Sequence, residues 1–245
     1  MKVNGGEFFS RSEALLGAEA MARLKAARVL VVGVGGVGSW CAEALVRTGL
    51  GNITLVDDDV VAESNVNRQC PATAATVGRS KVEAMAERLK EINPACEVEA
   101  VNARYTSSSG SCLKSFSLII DAIDSVDCKA ELILGAMAEG APLVSSMGAA
   151  LRLDPTKVKV TRFEKVEGDG LARALRQRFK KLGRFPKGKF SCVWSMEVAR
   201  GAIPEQAART PLPHLGKGSL VQVTAVFGMC LASEAIKILT KGETK

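Results

Sequence analysis

The stretch that most constrains this chain is Arg28-Val-Leu-Val-Val, then Gly33-Val-Gly-Gly-Val-Gly38, then Ser39-Trp-Cys-Ala-Glu-Ala-Leu-Val-Arg-Thr-Gly49. A short β-branched run closing on glycine reads as a buried parallel strand. Residues 36–49 repeat apolar side chains every three or four positions and stop at Gly49, so they predict a helix. The glycines Gly33, Gly35, Gly36 and Gly38 between them let backbone approach an anion at the helix N-terminus, where unpaired amides and the dipole favour negative charge. Strand, glycine loop and helix in that order predict a nucleotide-binding unit.

The alternation continues along the chain. Asn52–Asp57 reads as a second strand, Lys81–Ile92 as a helix, Cys96–Val101 as a third strand and Ser117–Asp124 as a fourth. Asp127–Glu139 then reads as a helix and Pro142–Ser146 as a fifth strand. This spacing predicts an α/β fold, a doubly wound, Rossmann-like, mostly parallel sheet. Beyond Leu151 the pattern loosens: a strand at Val158–Arg162, a basic helix at Leu171–Leu182, a short strand at Phe190–Trp194 and a long helix at Ser219–Thr240 packed on the same sheet. The expectation is one domain over 1–245, with a nucleotide-binding half to residue 150 and a substrate-facing half, 151–245, after it. The glycine-interrupted apolar runs fall short of the roughly 20 residues a bilayer span needs. No transmembrane segment and no signal peptide are expected, and a cytoplasmic location is the default.

Three further clusters leave the carboxyl ends of the strands and so converge on one crevice. They are Asp57-Asp-Asp-Val-Val-Ala-Glu-Ser-Asn65-Val-Asn-Arg68-Gln69, Val77-Gly-Arg-Ser-Lys81-Val-Glu, and Asp121-Ala-Ile-Asp124. Asp57, some 20 residues beyond the loop, suits a ribose, and alone it would serve an NAD-dependent oxidoreductase equally. An Arg, a Lys, an Asn and an extra Asp around the loop suit a triphosphate with Mg2+ instead.

The charge is just as localised. Lys plus Arg number 33 against 26 Asp plus Glu, for a net charge of +7. Eight of the cations (Arg173, Arg176, Arg178, Lys180, Lys181, Arg184, Lys187, Lys189) fall in one segment without an acid, and removing them leaves 25 against 26. Such a segment faces a polyanion or solvates a helix. The seven cysteines include no Cys-x-x-Cys pair, which argues against a disulfide framework or a four-thiolate zinc site.

In these motifs the chain resembles the adenylating enzymes related to ubiquitin-activating enzyme, the ThiF-type superfamily. The motifs are Gly-x-Gly-Gly-x-Gly, Asp57, Ser-Asn-x-x-Arg-Gln, Val-Gly-x-x-Lys-Val-Glu and Asp-x-x-Asp. The resemblance implies that Asp57 binds the ribose and that Asn65, Arg68 and Lys81 hold the phosphates. It further implies that Gln69 supports that network, that Asp124 coordinates Mg2+, and that Arg11 is supplied in trans within a homodimer. Within the family, Gly148-Ala-Ala-x-x-x-Asp-Pro-Thr-Lys and Lys187-Gly-Lys-Phe-Ser-Cys-Val-Trp-Ser-Met-Glu resemble the subgroup that dehydrates threonylcarbamoyladenosine in tRNA. That subgroup implies ATP as cosubstrate and tRNA as the partner of the Arg173–Lys189 segment, with a sulfur-relay protein as a further candidate partner. The alternatives are an activator of a ubiquitin-like or sulfur-carrier protein, and an oxidoreductase or nucleotide sensor. Cys192 is expected to be a small buried hydrophobe near the site. Trp40 is expected in helix core, Trp194 could stack on a base, and His214 reads as a surface residue of the proline-rich 202–217 loop.

Overall fold

Strand residues Val29, Leu30, Val31 and Val32 are all buried, and alternate ones face different cores. Val29 and Val31 join Ile53, Leu55, Leu118 and Ile120 on one face of the sheet; Leu30 and Val32 join Ile119 and Leu143 on the other. A strand covered by helices on both faces needs an unbroken apolar run, which is why the sequence shows no polar alternation there.

The computed structural model describes residues 7–106, 112–197 and 218–241. The sheet comprises β1 (Arg28–Val32), β2 (Asn52–Val56), β3 (Glu97–Val101), β4 (Leu118–Asp121), β5 (Leu143–Ser146), β6 (Val158–Arg162) and β7 (Ser191–Ser195), in the order β3-β2-β1-β4-β5-β7-β6. Every pairing is parallel except β6 with β7. The helices are α1 (Ser10–Leu16), α2 (Ala18–Ala26), α3 (Gly38–Thr48), α4 (Lys81–Ile92), α5 (Val126–Glu139), α6 (Gly170–Leu182) and α7 (Val221–Thr240). The strand order runs outward from β1 through β2 to β3, then returns to β4 on the other side of β1. The crevice between the loops leaving β1 and β4 is therefore a topological switch point, where doubly wound sheets bind ligands.

The expected fold class is observed with some boundaries shifted, and the N-terminal segment, to which the sequence pattern assigns no element, forms two helices. β4 ends at Asp121, three residues early, because Ala122 and Ile123 press against the glycine loop. The helix expected from Ser219 begins at Val221.

α7 is long and apolar enough to cross a membrane by length and composition. In this fold Val223, Phe227, Leu231 and Ala235 bury its inner face in the core shared with α3. The two helices touch at Gly228, where a Cβ would stand 2.6 Å from the Val37 carbonyl oxygen and 2.7 Å from Trp40 Cβ. That close approach fixes the helix behind the glycine loop.

Candidate active site

The glycine loop is shaped by contacts no side chain could replace. Gly33 has φ +93°, and a Cβ on it would lie 2.6 Å from the Ala122 carbonyl oxygen; one on Gly38 would lie 1.8 Å from the carbonyl oxygen of Gly33. The β1–α3 turn is thus folded against the β4–α5 loop, with the N-terminus of α3 at the crevice. Gly35 and Gly36 are less crowded, their nearest neighbours being Gln69 Nε2 at 3.9 Å and Arg68 Cγ at 3.4 Å from the Cβ positions.

Asp57, at the end of β2, holds the loop from the other side. Its Oδ2 accepts from Val34 N at 2.6 Å and its Oδ1 from Asp59 N at 2.9 Å. Burial pushes its carboxyl above the usual value, and the two amides and Lys81 only partly offset that. Lys81 opens α4 and is buried, with Nζ 2.6 Å from Asp59 Oδ2. Asp57, Asp58 and Asp59 bring carboxylate oxygens within 4.8 Å of one another. Asp57 and Asp59 already receive amides and an ammonium, which leaves that cluster poorly suited to a cation.

Between these anchors the chain turns through Glu63–Asn65. Asn65 Oδ1 accepts from Ala62 N at 3.1 Å, so its amide nitrogen is the part left for an anion. The Asn65 carbonyl takes Arg68 N at 3.0 Å and Gln69 N at 2.9 Å. Trp40 Nε1 donates to the Arg68 carbonyl at 3.0 Å, so this tryptophan is partly buried and ties the turn to α3 as well as filling the core. Gln69 is buried and its Oε1 has no hydrogen-bond partner, an orphaned acceptor beside the glycine loop. Asp124 follows β4 at the exposed rim, with no partner among the described residues. An exposed carboxylate at a strand end is a hard oxygen donor of the kind Mg2+ takes singly alongside phosphate oxygens.

The structure thus brings Gly33, Gly35, Gly36, Gly38, Asp57, Asn65, Arg68, Gln69 and Lys81 together, with Asp124 on the adjoining loop. It does not bring Arg11 to this crevice. α1 has no buried residue, and the preceding Phe9 packs against Gly49, at the far end of α3.

Three supports could not be anticipated from the motifs. Glu43, on α3, accepts from Arg88 Nε at 2.5 Å, Arg47 Nε at 2.8 Å and Cys70 Sγ at 2.7 Å, which fastens the residue after Gln69. Asp121 and Lys129 form a wholly buried pair beneath the Asp124 loop. After β5, Leu151 has a left-handed φ of 62°, and the neighbouring Arg152 is buried with Nε and Nη1 unpartnered and Nη2 3.3 Å from Asp169 Oδ2. Of these, Lys129 did leave a signal: it stands three, four and seven positions before Leu132, Ile133 and Ala136, on the apolar stripe of α5.

The basic segment is only partly a surface. Asp169 caps α6 by accepting from Ala172 N at 2.9 Å, and its other oxygen takes Gly148 N at 3.2 Å, which sets the start of α6 at the carboxyl edge of the sheet. Arg176 is structural: its Nη2 donates to the carbonyls of Phe163 and Val166 at 3.0 and 2.7 Å, and it lies 4.9 Å over the Phe163 ring. Arg178 Nε stands 2.8 Å from Asp127 Oδ1. Arg173, Lys180, Lys181, Arg184, Lys187 and Lys189 remain exposed. Because α6 descends the sheet and β7 climbs back, Lys187 and Lys189 sit at the amino edge, opposite the crevice. Trp194 is buried, its Nε1 donating to Thr161 Oγ1 at 2.8 Å, so it cannot stack on a base. Cys192 is fully buried, and burial raises its thiol far above the ordinary range. His214 and the 202–217 loop lie outside the described residues.

A model of the ThiF family matches residues 9–245. The chain is 43% identical to the tRNA threonylcarbamoyladenosine dehydratase of Bacillus subtilis 168, over 95% of this chain and 94% of that protein. It is 40% identical to the Escherichia coli K12 protein of the same name, over 94% and 92%. Its fold matches a crystal structure of the E. coli tRNA N6-threonylcarbamoyladenosine dehydratase in complex with ATP with a TM-score of 0.85 and 39% identity, covering 98% of this chain and 96% of that one. A glycine loop at the switch point, framed by these side chains, together with this near full-length match, means that the chain belongs to the ThiF family.

Proposed function

We propose that this protein is an ATP-dependent tRNA threonylcarbamoyladenosine dehydratase acting on the adenosine next to the anticodon. The observation that carries the reading is the convergence of Asp57, Asn65, Arg68, Gln69, Lys81 and the Asp124 loop on a glycine loop at the switch point. That set suits a nucleoside triphosphate and has more cationic equipment than a dinucleotide needs. Asp57 orients the ribose, the N-terminus of α3 receives phosphate oxygens, and Arg68 and Lys81 stabilise the negative charge that grows on the leaving pyrophosphate. Mg2+, when bound at Asp124, adds a further positive charge against the same oxygens.

The side-chain carboxylate of the modified adenosine attacks the α-phosphorus and pyrophosphate leaves, which makes an acyl-adenylate. Attack from within the threonylcarbamoyl group on the activated carbonyl carbon then closes a ring and expels AMP, with loss of one proton. The RNA product is one water lighter. Neither step requires a protein thiol, consistent with a buried Cys192, and a sulfur-relay partner has no part in them.

The exposed cations of α6 and the loop beyond it extend about 20 Å from the crevice toward the amino edge, at 1.5 Å per helical residue. An RNA held along its backbone would use such a strip, whereas a carrier-protein tail would not. Phe8, two residues before α1, and Leu15 on it are exposed at 44% and 86%, and in our reading a second copy covers them while Arg11 reaches that copy's crevice. Mixing Arg11→Ala with Lys81→Ala protein, each inactive alone, should then restore about a quarter of wild-type activity, since half the randomly paired dimers hold one intact site. No recovery would remove the trans arginine. We place the reaction in the cytoplasm, with ATP and tRNA as substrates.

The deciding experiment measures AMP release from ATP and Mg2+ with threonylcarbamoyl-modified tRNA, unmodified tRNA or none, and reads the product nucleosides by mass spectrometry. Loss of one water, seen only with modified tRNA, is the expected result. ATP binding without tRNA-dependent AMP would overturn it in favour of a carrier-protein activator.

A further inference from the structure

The geometry points to Lys129 as a positioning residue that, through its buried pair with Asp121, fixes the Ile123 peptide on which both the glycine loop and the Asp124 loop rest. Lys129 and Asp121 are each 0% exposed, with Nζ 2.9 Å from Asp121 Oδ2. Nζ also donates to the Ile123 carbonyl at 3.0 Å, Asp121 Oδ1 accepts from Ile123 N at 3.2 Å, and Ser145 Oγ donates to Asp121 Oδ2 at 2.7 Å. The amide and carbonyl of one residue are therefore both held from beneath. From above, the Cβ position on Gly33 lies 2.6 Å from the Ala122 oxygen and 3.1 Å from Ile123 N. The peptide before Asp124 is clamped between the phosphate-binding turn and a buried ion pair.

A wholly buried ion pair adds little net stability, because two desolvated charges roughly cancel their attraction, and an apolar pair of similar size often does as well. The pair here does something an apolar pair cannot: a lysine reaching up from α5 and an aspartate at the end of β4 grip opposite ends of one residue's backbone. Sub-ångström placement of the next residue, Asp124, is what phosphoryl chemistry demands of its ligands. Lys129 touches no substrate in this arrangement; it acts through the loop.

The positioning role rests on the adenylating function assigned to Asp124, so the test separates the two. Asp121→Asn/Lys129→Met removes both charges without leaving either buried alone. The expected result is a thermal midpoint within a few degrees of wild type, an unchanged KM for ATP, a kcat at least tenfold lower and a tenfold higher Mg2+ concentration for half-maximal rate. Amide exchange in the 118–126 peptide should rise severalfold in the nucleotide-free protein, a readout independent of turnover. Combined with Asp124→Ala, the pair should cost nothing more in kcat, because it works through that carboxylate.

Additive losses, or unchanged Mg2+ dependence and exchange in a folded double variant, would overturn the positioning role. Should the double variant fail to fold, Ser145→Ala loosens only Asp121 and should show the same direction at smaller size; wild-type values there would equally overturn it. If Asp124→Ala alone leaves AMP formation intact, the adenylation reading falls first.

Discussion

The crevice edge and the α6 strip are equipped for anions by opposite means. At the edge, backbone and side chains interlock: Gly33 against Ala122, Asp57 on Val34, Trp40 on Arg68, and Lys129 under Ile123. Along the strip, three exposed cations (Arg173, Lys180, Lys181) hang from α6, whose own packing depends on Ala172, Leu175 and Phe179 with Arg176 turned to structural use, and three more (Arg184, Lys187, Lys189) follow in the loop beyond it. Atoms placed to within tenths of an ångström suit a small anion; charge density along a strip suits a long one. Damage to the first should be abrupt, and damage to the second graded.

The largest effect is expected at Gly38. A methyl group there would meet the Gly33 carbonyl oxygen at 1.8 Å, and neither backbone can yield. Gly38→Ala should cost about 3 kcal/mol or more in urea unfolding. Gly35→Ala, with its nearest neighbour at 3.9 Å, should keep wild-type stability and raise only the KM for ATP. Equal stability of the two variants would break the claim that the edge is interlocked.

Next come the charges at the edge. Lys81→Ala and Asp124→Ala should each lower kcat for tRNA-dependent AMP release by about 100- to 1,000-fold, the usual loss for one preorganised electrostatic group. Asp124, exposed and unpartnered among the described residues, should leave stability unchanged when replaced. Lys81→Ala should also lower stability, because the ammonium is buried against Asp59.

Most of the edge could be read in the sequence because backbone needs dictate residue type there. Only glycine fits the Gly33 and Gly38 positions, and an unbroken β-branched run before them can only be a covered strand. The α6 cations were equally visible, but their division was not: nothing in the spacing tells that Arg176 folds back onto two carbonyls while Arg173 does not, or that Lys187 ends up at the opposite edge. Trp194 misled for the same reason, since an indole in a polar neighbourhood is buried or stacked according to a tertiary partner, here Thr161. The Asp121–Lys129 pair hid because a lysine on an apolar helix stripe makes sense only with its counter-ion from another element.

A smaller, graded effect is expected on the strip. Arg173→Glu, Lys180→Glu and Lys181→Glu together should weaken tRNA binding and shallow the slope of log affinity against log salt by about 0.7–0.9 for each phosphate no longer neutralised. The kcat at saturating tRNA should hold. Arg176→Glu should instead lose stability, since the Phe163 and Val166 carbonyls would be left without their donor. An unaltered salt slope in the triple variant would sever the strip from tRNA.

The smallest effect is expected inside the edge, at Glu43. Burial alone would raise the Glu43 carboxyl, but hydrogen bonds from Arg88, Cys70 and Arg47 outweigh it and hold the group at about 2, against an ordinary 4.5. A carboxyl depressed in the fold stabilises it fully above its unfolded value, and that contribution fades as pH falls from about 4.5 toward 2. The difference in stability between wild type and Glu43→Gln should therefore be largest above pH 4.5 and close as pH approaches 2. The same burial, reinforced by Glu43, pushes the Cys70 thiol up to about 12, so alkylation of Cys70 in the folded protein should be slow at pH 8 and quicken in Glu43→Gln. A pH-independent difference between the two proteins would mean that Glu43 holds the Gln69–Cys70 segment by shape rather than by charge.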